Sequence, residues 1–116
     1  LGFYALSMGA VQRSTLPDAL KPGQRPEPCP VLLLARLAVD QRAQGRGIGA
    51  ALLKDALLRS YKLSNEVGFA ALLVHCANDQ AREFYLRQSS NFVPCPGAEN
   101  HLMLPLRALR EFIDAL

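Results

Sequence analysis

The sequence predicts an α/β fold in one domain, residues 1–116, and three observations predict it. Residues 31–39, VLLLARLAV, and 69–76, FAALLVHC, are nearly unbroken apolar runs of strand length, the pattern of strands buried on both faces. Between them, residues 47–63 set Ile48, Leu52, Leu53, Ala56 and Leu57 on one broad apolar face at helical spacing. The chain is 116 residues long, 50% hydrophobic and 20% charged, enough to bury a single core.

Each remaining element follows in turn. Residues 1–7, LGFYALS, are apolar with aromatic members and read as a strand. Residues 16–30 carry five of the eight prolines, so they read as a loop with one helical turn at 17–20, too short to link two domains. Arg36 is the sole charge in the first buried run. On the helix that follows, Asp55, Arg59 and Lys62 mark a polar face, with Asp55 and Arg59 spaced as an exposed i,i+4 pair. Asn78 is a good N-cap, and Asp79 suits the first turn of a helix running to about residue 87. NFVPC and HLMLPL read as short strands. Leu106, Leu109, Phe112, Ile113 and Leu116 mark an amphipathic C-terminal helix.

Composition narrows the function classes. No apolar run reaches bilayer-spanning length, and the first residues carry no signal-peptide pattern. Cys29, Cys76 and Cys95 are odd in number and far apart with no CxxC pair, which fits a reducing cytoplasm better than a disulfide framework or a zinc site. A net charge of +3 permits an anionic partner without requiring one. The chain opens on Leu1 within what reads as an element, which predicts an N-terminally truncated fold.

Residues 44–53, QGRGIGAALL, hold the chemistry. Glycines at a helix mouth let backbone N–H groups approach a ligand, and a helix N-terminus attracts anions, so the stretch reads as a phosphate cradle. No lysine follows the glycines in the P-loop spacing, which argues against a nucleoside triphosphate. Gly45, Gly47 and Ala50 match the dinucleotide pattern formally. However, Asp40–Gln44 separate them from the strand, and the next strand ends in VHC with no acid to hold a ribose.

The pattern that remains, Gln44-x-x-Gly47-x-Gly49 after a buried strand, resembles the pyrophosphate loop of the GNAT superfamily of acetyl-CoA-dependent N-acetyltransferases. Asn78, Ala81 and Tyr85 add the spacing N-x-x-A-x-x-x-Y on the helix after the next strand, and the likeness runs over residues 31–104. The phrases ARLAVDQRAQGRGIGAALLKDAL, ALLVHCANDQAREFY and LMLPL, with the opening GFYALS, look like the GNAT-type toxins of type II toxin–antitoxin pairs. The resemblance implies a mixed, mostly antiparallel twisted sheet flanked by helices. It also implies an initial strand and two helices that this chain lacks. RQSSNFVPC departs from the family's usual helix-to-strand turn.

The implied chemistry moves acetyl from a thioester to an amine. Backbone groups of Gln44, Gly45, Arg46, Gly47, Ile48, Gly49 and Ala50 would hold the pyrophosphate, with the helix dipole behind them. Arg46 and Arg42 would add charge, the plain alternative being solvated loop arginines. By resemblance, main-chain groups of Leu37, Ala38 and Val39 pair with the pantetheine arm, one N–H facing the acetyl oxygen. Asn78 belongs to the same cofactor set, and Tyr85 is the candidate proton donor to the leaving thiolate. A tyrosine on such a helix is ordinarily core, with its neighbour Phe84 a packing residue, but the motif outweighs that reading for Tyr85.

No general base is evident: His75 is expected buried beside its strand, and His101 precedes a strand without a partner. An α-amine of pKa about 8 is already partly neutral, so it suits such a site better than a lysine at about 10.4. The resemblance therefore points to aminoacyl-tRNA as acceptor and a ribbon-helix-helix antitoxin as partner, with a homodimer left open and no membrane role. Arg13, Lys21, Arg25, Arg36, Arg82 and Arg87 are candidate contacts for the polyanion. Two other readings stand beside this one: an N-acetyltransferase of a small amine or protein N-terminus, and an inactive acetyl-CoA-binding module.

Overall fold

The two apolar runs pair with each other at the centre of a five-stranded sheet. In the computed structural model, which describes residues 2–20, 28–39 and 47–115, the strands are β1 (Gly2–Val11), β2 (Cys29–Val39), β3 (Ala71–His75), β4 (Val93–Cys95) and β5 (Ala98–Pro105). Their order across the sheet is β1-β2-β3-β5-β4. The β2–β3 pair is parallel and the other three are antiparallel, the mixed and mostly antiparallel sheet that was expected. The helix α1 (Ile48–Leu63) makes the crossover that parallel strands require. It is followed by α2 (Asp79–Gln88) and α3 (Leu106–Asp114).

Alternation along the strands sorts side chains onto two faces. One face carries Leu32, Leu34, Leu72, Val74, Leu102 and Leu104, which meet Leu53, Ala56 and Leu57 of α1, Tyr85 of α2 and Leu109 of α3 in the main core. Burying a leucine of this kind stabilises by roughly 1.5–3 kcal/mol, so apolar burial is the main hold this face has on the helices. Val31, Ala71 and Met103 point the other way and are capped by Leu16 and Leu20. The proline-rich segment thus supplies two fully buried side chains, Leu16 at 0% and Leu20 at 2% exposure, through short 3-10 turns at Arg13–Thr15 and Asp18–Leu20.

Strand β1 runs beyond residue 7 to Val11 because its pairing with β2 continues through Gly9↔Val31 and Ala10↔Pro30. Pro30 has no N–H to give, yet its carbonyl accepts the Ala70 amide at 2.9 Å and ties β2 to the chain entering β3. Asp55 and Arg59 do more than face each other across a helical turn. The Tyr4 hydroxyl donates to Asp55 Oδ2, and the Arg59 guanidinium lies 5.4 Å over the Tyr4 ring, so the pair fastens α1 to β1.

The sheet opens in one place. Strands β2 and β3 pair only over Leu32–Leu34 and Leu72–Val74. Beyond that point β2 continues to Val39 on β1 alone, through Ala5↔Ala35, Phe3↔Ala38 and Gly2↔Val39, with an irregularity between Phe3 and Ala5. Residues 35–39 therefore turn a backbone edge towards β3 that β3 does not use.

Candidate active site

A cavity of about 560 Å³ lies beside that open edge, within the range that holds small ligands. Leu37 of β2, Gly47, Gly49 and Ala50 at the start of α1, and Asn78, Ala81, Phe84 and Tyr85 of α2 or its cap line it together. The glycine motif and the N-x-x-A-x-x-x-Y motif, separated by a helix and a strand in sequence, thus share one wall-to-wall space. The parallel pair explains why: the segments leaving β2 and β3 emerge at the same end of the sheet, where ligands of open α/β sheets collect.

Gly47 is the N-cap of α1 with φ 75°, a left-handed conformation that side chains disfavour. Its carbonyl accepts the Ala51 amide at 3.1 Å. Having no side chain, it leaves the first-turn amides of α1 uncapped beside the cavity. That arrangement is an anion seat, with main-chain donors and the positive helix end on one side. Ile48 is half-buried and does not line the cavity. Gln44, Gly45, Arg46 and Arg42 lie outside the described residues, as do Lys21 and Arg25.

Asn78 is the N-cap of α2, its side-chain Oδ1 accepting the Ala81 amide at 2.8 Å. The cap sets the axis of α2, and one helical turn later the axis sets where Tyr85 points. Tyr85 is 5% exposed and packs edge-on to Phe84 at 5.3 Å and against Phe92 at 5.6 Å. Burial, with a contribution from the Cys76 thiol, pushes its phenol up to about 12. Burial likewise raises the Cys76 thiol, which the Arg82 charge partly offsets. Phe92 shows how the unusual RQSSNFVPC turn is accommodated: the Ser89 hydroxyl accepts the Asn91 amide at 3.1 Å, and Phe92 drops into the core under Tyr85.

Some features escaped the sequence. Gln80, Arg87 and Gln88 also line the cavity; the spacing 80, 81, 84, 85, 88 on one helical face was the available signal. Phe84 is half-buried but serves as wall as well as packing. The expectation for both histidines is corrected. His75 is exposed, because it ends β3 on the face opposite the helices. His101 lies within β5, directly across from His75, with ring centroids 4.7 Å apart. A period-two strand puts His75 out of phase with Leu72 and Val74, and that phase was legible.

The model of the acetyltransferase (GNAT) domain matches residues 9–88. A tRNA-acetylating toxin of Mycobacterium tuberculosis is 42% identical over 97% of this chain and 66% of its own length. The structure of AtaT complexed with acetyl-methionyl-tRNAfMet superposes with TM-score 0.84 at 31% identity, over 97% of this chain and 66% of that one. A tyrosine-to-phenylalanine mutant of the AtaT toxin, bound to the C-terminus of the antitoxin AtaR and acetyl-CoA, gives TM-score 0.77 at 30% identity, over 98% of this chain and 65% of that one. The chain spans about two thirds of the length of the curated relatives it matches, 66% in each case. With a domain match over most of its residues, and with the fold and sequence likeness agreeing, the chain belongs to the GNAT acetyltransferase family.

Proposed function

We propose that this chain carries the cofactor site and catalytic tyrosine of an acetyl-CoA-dependent N-acetyltransferase that acetylates the α-amine of aminoacyl-tRNA and so blocks translation. One observation carries the reading: the uncapped start of α1, the open edge of β2 and Tyr85 converge on a single cavity. The amides of α1 and its glycine cap hold the pyrophosphate. The free edge of Leu37–Val39 receives the pantetheine amides as an added strand would and aims an N–H at the acetyl oxygen. Acetyl-CoA supplies the activated thioester, and everything else is positioning by this chain.

Tyr85 faces the leaving sulfur. At about 12 its phenol remains protonated throughout the working pH range. Burial makes this phenol a weaker acid than an ordinary tyrosine, so full proton transfer to a thiolate is more uphill than usual. The hydroxyl therefore acts mainly by donating a hydrogen bond to the developing thiolate, with solvent completing the protonation. The likeness to the tRNA-acetylating toxin and to AtaT with its acetylated tRNA supports the acceptor. The complex of AtaT with AtaR supports an antitoxin partner, which we take to be of ribbon-helix-helix type, in the cytoplasm. A homodimer belongs to the same proposal.

The test is transfer of labelled acetyl from acetyl-CoA to charged tRNA, with deacylated tRNA and polyamines as controls. Charged tRNA alone should be labelled. Gly47→Glu, which puts a carboxylate at the anion seat on a left-handed backbone, should abolish both transfer and acetyl-CoA binding by calorimetry. Ready labelling of polyamines with none of charged tRNA would replace this acceptor by a small amine.

A further inference from the structure

His75 is exposed on the face of the sheet opposite the helices, at the end where β2 and β3 part. Strand alternation puts His75 there with Leu73 and Ala71, away from Val74 and Cys76, which join the helical core. His75 is the first β3 position after the β2 pairing ends at Leu34↔Val74. His101 is its direct partner on β5, tilted at 33° with centroids 4.7 Å apart, and its other side borders an apolar hollow of about 200 Å³ with Cys95 and Met103.

The proposed thioester would lie in the gap between these strands, with Tyr85 and the cofactor cavity on the helical face. An amine attacks a carbonyl from above its plane, and the helical side is taken by the cofactor. The acceptor must then come through the gap from the face that bears His75. Resting on the acetyltransferase reading above, we propose that His75 takes the proton of the attacking amine, with His101 as the positioning residue that holds its ring. The amine nitrogen bonds the acetyl carbon, the nitrogen's proton passes to the free imidazole nitrogen of His75 directly or through one water, and the C–S bond breaks. The thiolate leaves on the opposite side, hydrogen-bonded by Tyr85 and protonated by solvent. His75 then returns its proton to water. The products are the amide and the free thiol.

Imidazole suits the task because its neutral ring keeps one nitrogen with a lone pair that can accept a proton. His101 faces His75 directly, and Cys95 borders His101 in the hollow. Burial raises the Cys95 thiol and keeps it neutral. Burial, and then the neighbouring His75, lower His101.

The experiment measures kcat/KM against pH for the wild type, His75→Ala and His101→Gln. Two acceptors are used, an aminoacyl-tRNA and the ester of the same amino acid, with calorimetry on acetyl-CoA as the control for folding. His75→Ala should lose on the order of 10²-fold with either acceptor. It should also lose the acidic limb of the profile, keep its cofactor affinity, and recover part of its rate in added imidazole. His101→Gln should shift that limb with a smaller loss. A wild-type rate and an unchanged acidic limb in His75→Ala, on whichever acceptor the enzyme uses, overturn the proposal. A wild type active on the ester but not on the tRNA defeats the tRNA reading alone, and the histidine test then runs on the ester.

Discussion

Tyr85 and Cys76 show how one side chain can be both core and chemistry. The tyrosine is packed between two phenylalanines yet lines the cavity, so truncating it and removing its hydroxyl are separate experiments. Tyr85→Phe should keep the fold and the acetyl-CoA affinity and slow transfer on the order of 10²-fold; single-turnover kinetics check it. Because the fold raises this phenol, the native state favours its protonated form. The stability it contributes is complete below the ordinary value near 10 and is lost as pH rises towards about 12. Alkaline difference spectra should show one tyrosine ionising at about 12, and Tyr85→Phe should remove that step. The motif around Tyr85 was readable; the thiol beside it was not, because Cys76 and Tyr85 meet only in the folded core.

At the scale of elements, α2 depends on its cap. Asn78→Ala should cost about 1 kcal/mol and lower the melting temperature by about 5 °C for a domain of this size. Transfer should fall further than stability alone explains, because the cap also sets the direction of Tyr85. Thermal melts alongside rates at a temperature where both proteins are folded would separate the two. The elements themselves were largely legible. Period 3.6 after Gly47 and unbroken apolar runs in β2 and β3 leave few other solutions, and the expected starts of α1 and α2 agree with the structure. What escaped was tertiary. The length of β1 is set by its partner, and Leu16 and Leu20 read as loop residues because nothing local says that a sheet face lies beneath them. The cavity was legible only as two separate motifs.

For the molecule as a whole, the proposed anionic acceptor would set a salt dependence that no small amine would share. If about four phosphates are contacted, affinity for charged tRNA should fall roughly 10²-fold between 50 and 200 mM salt. The rate with an amino acid ester should barely change, and filter binding beside ester kinetics checks both. Arg13, exposed in the turn that follows β1, is the first basic residue to substitute. The three-residue parallel ladder between β2 and β3 has a further consequence. It is the only strand pairing, among the described residues, that joins the β1–β2 pair to the three strands β3, β5 and β4. A cosubstrate gripped by α1 and β2 on one side and by α2 on the other is therefore a staple across a narrow seam. Acetyl-CoA bound as proposed would stabilise by RT ln(1 + [L]/Kd), so amides along the seam should exchange with solvent more slowly in its presence, and the contacts that arm the protein would also hold its two halves together.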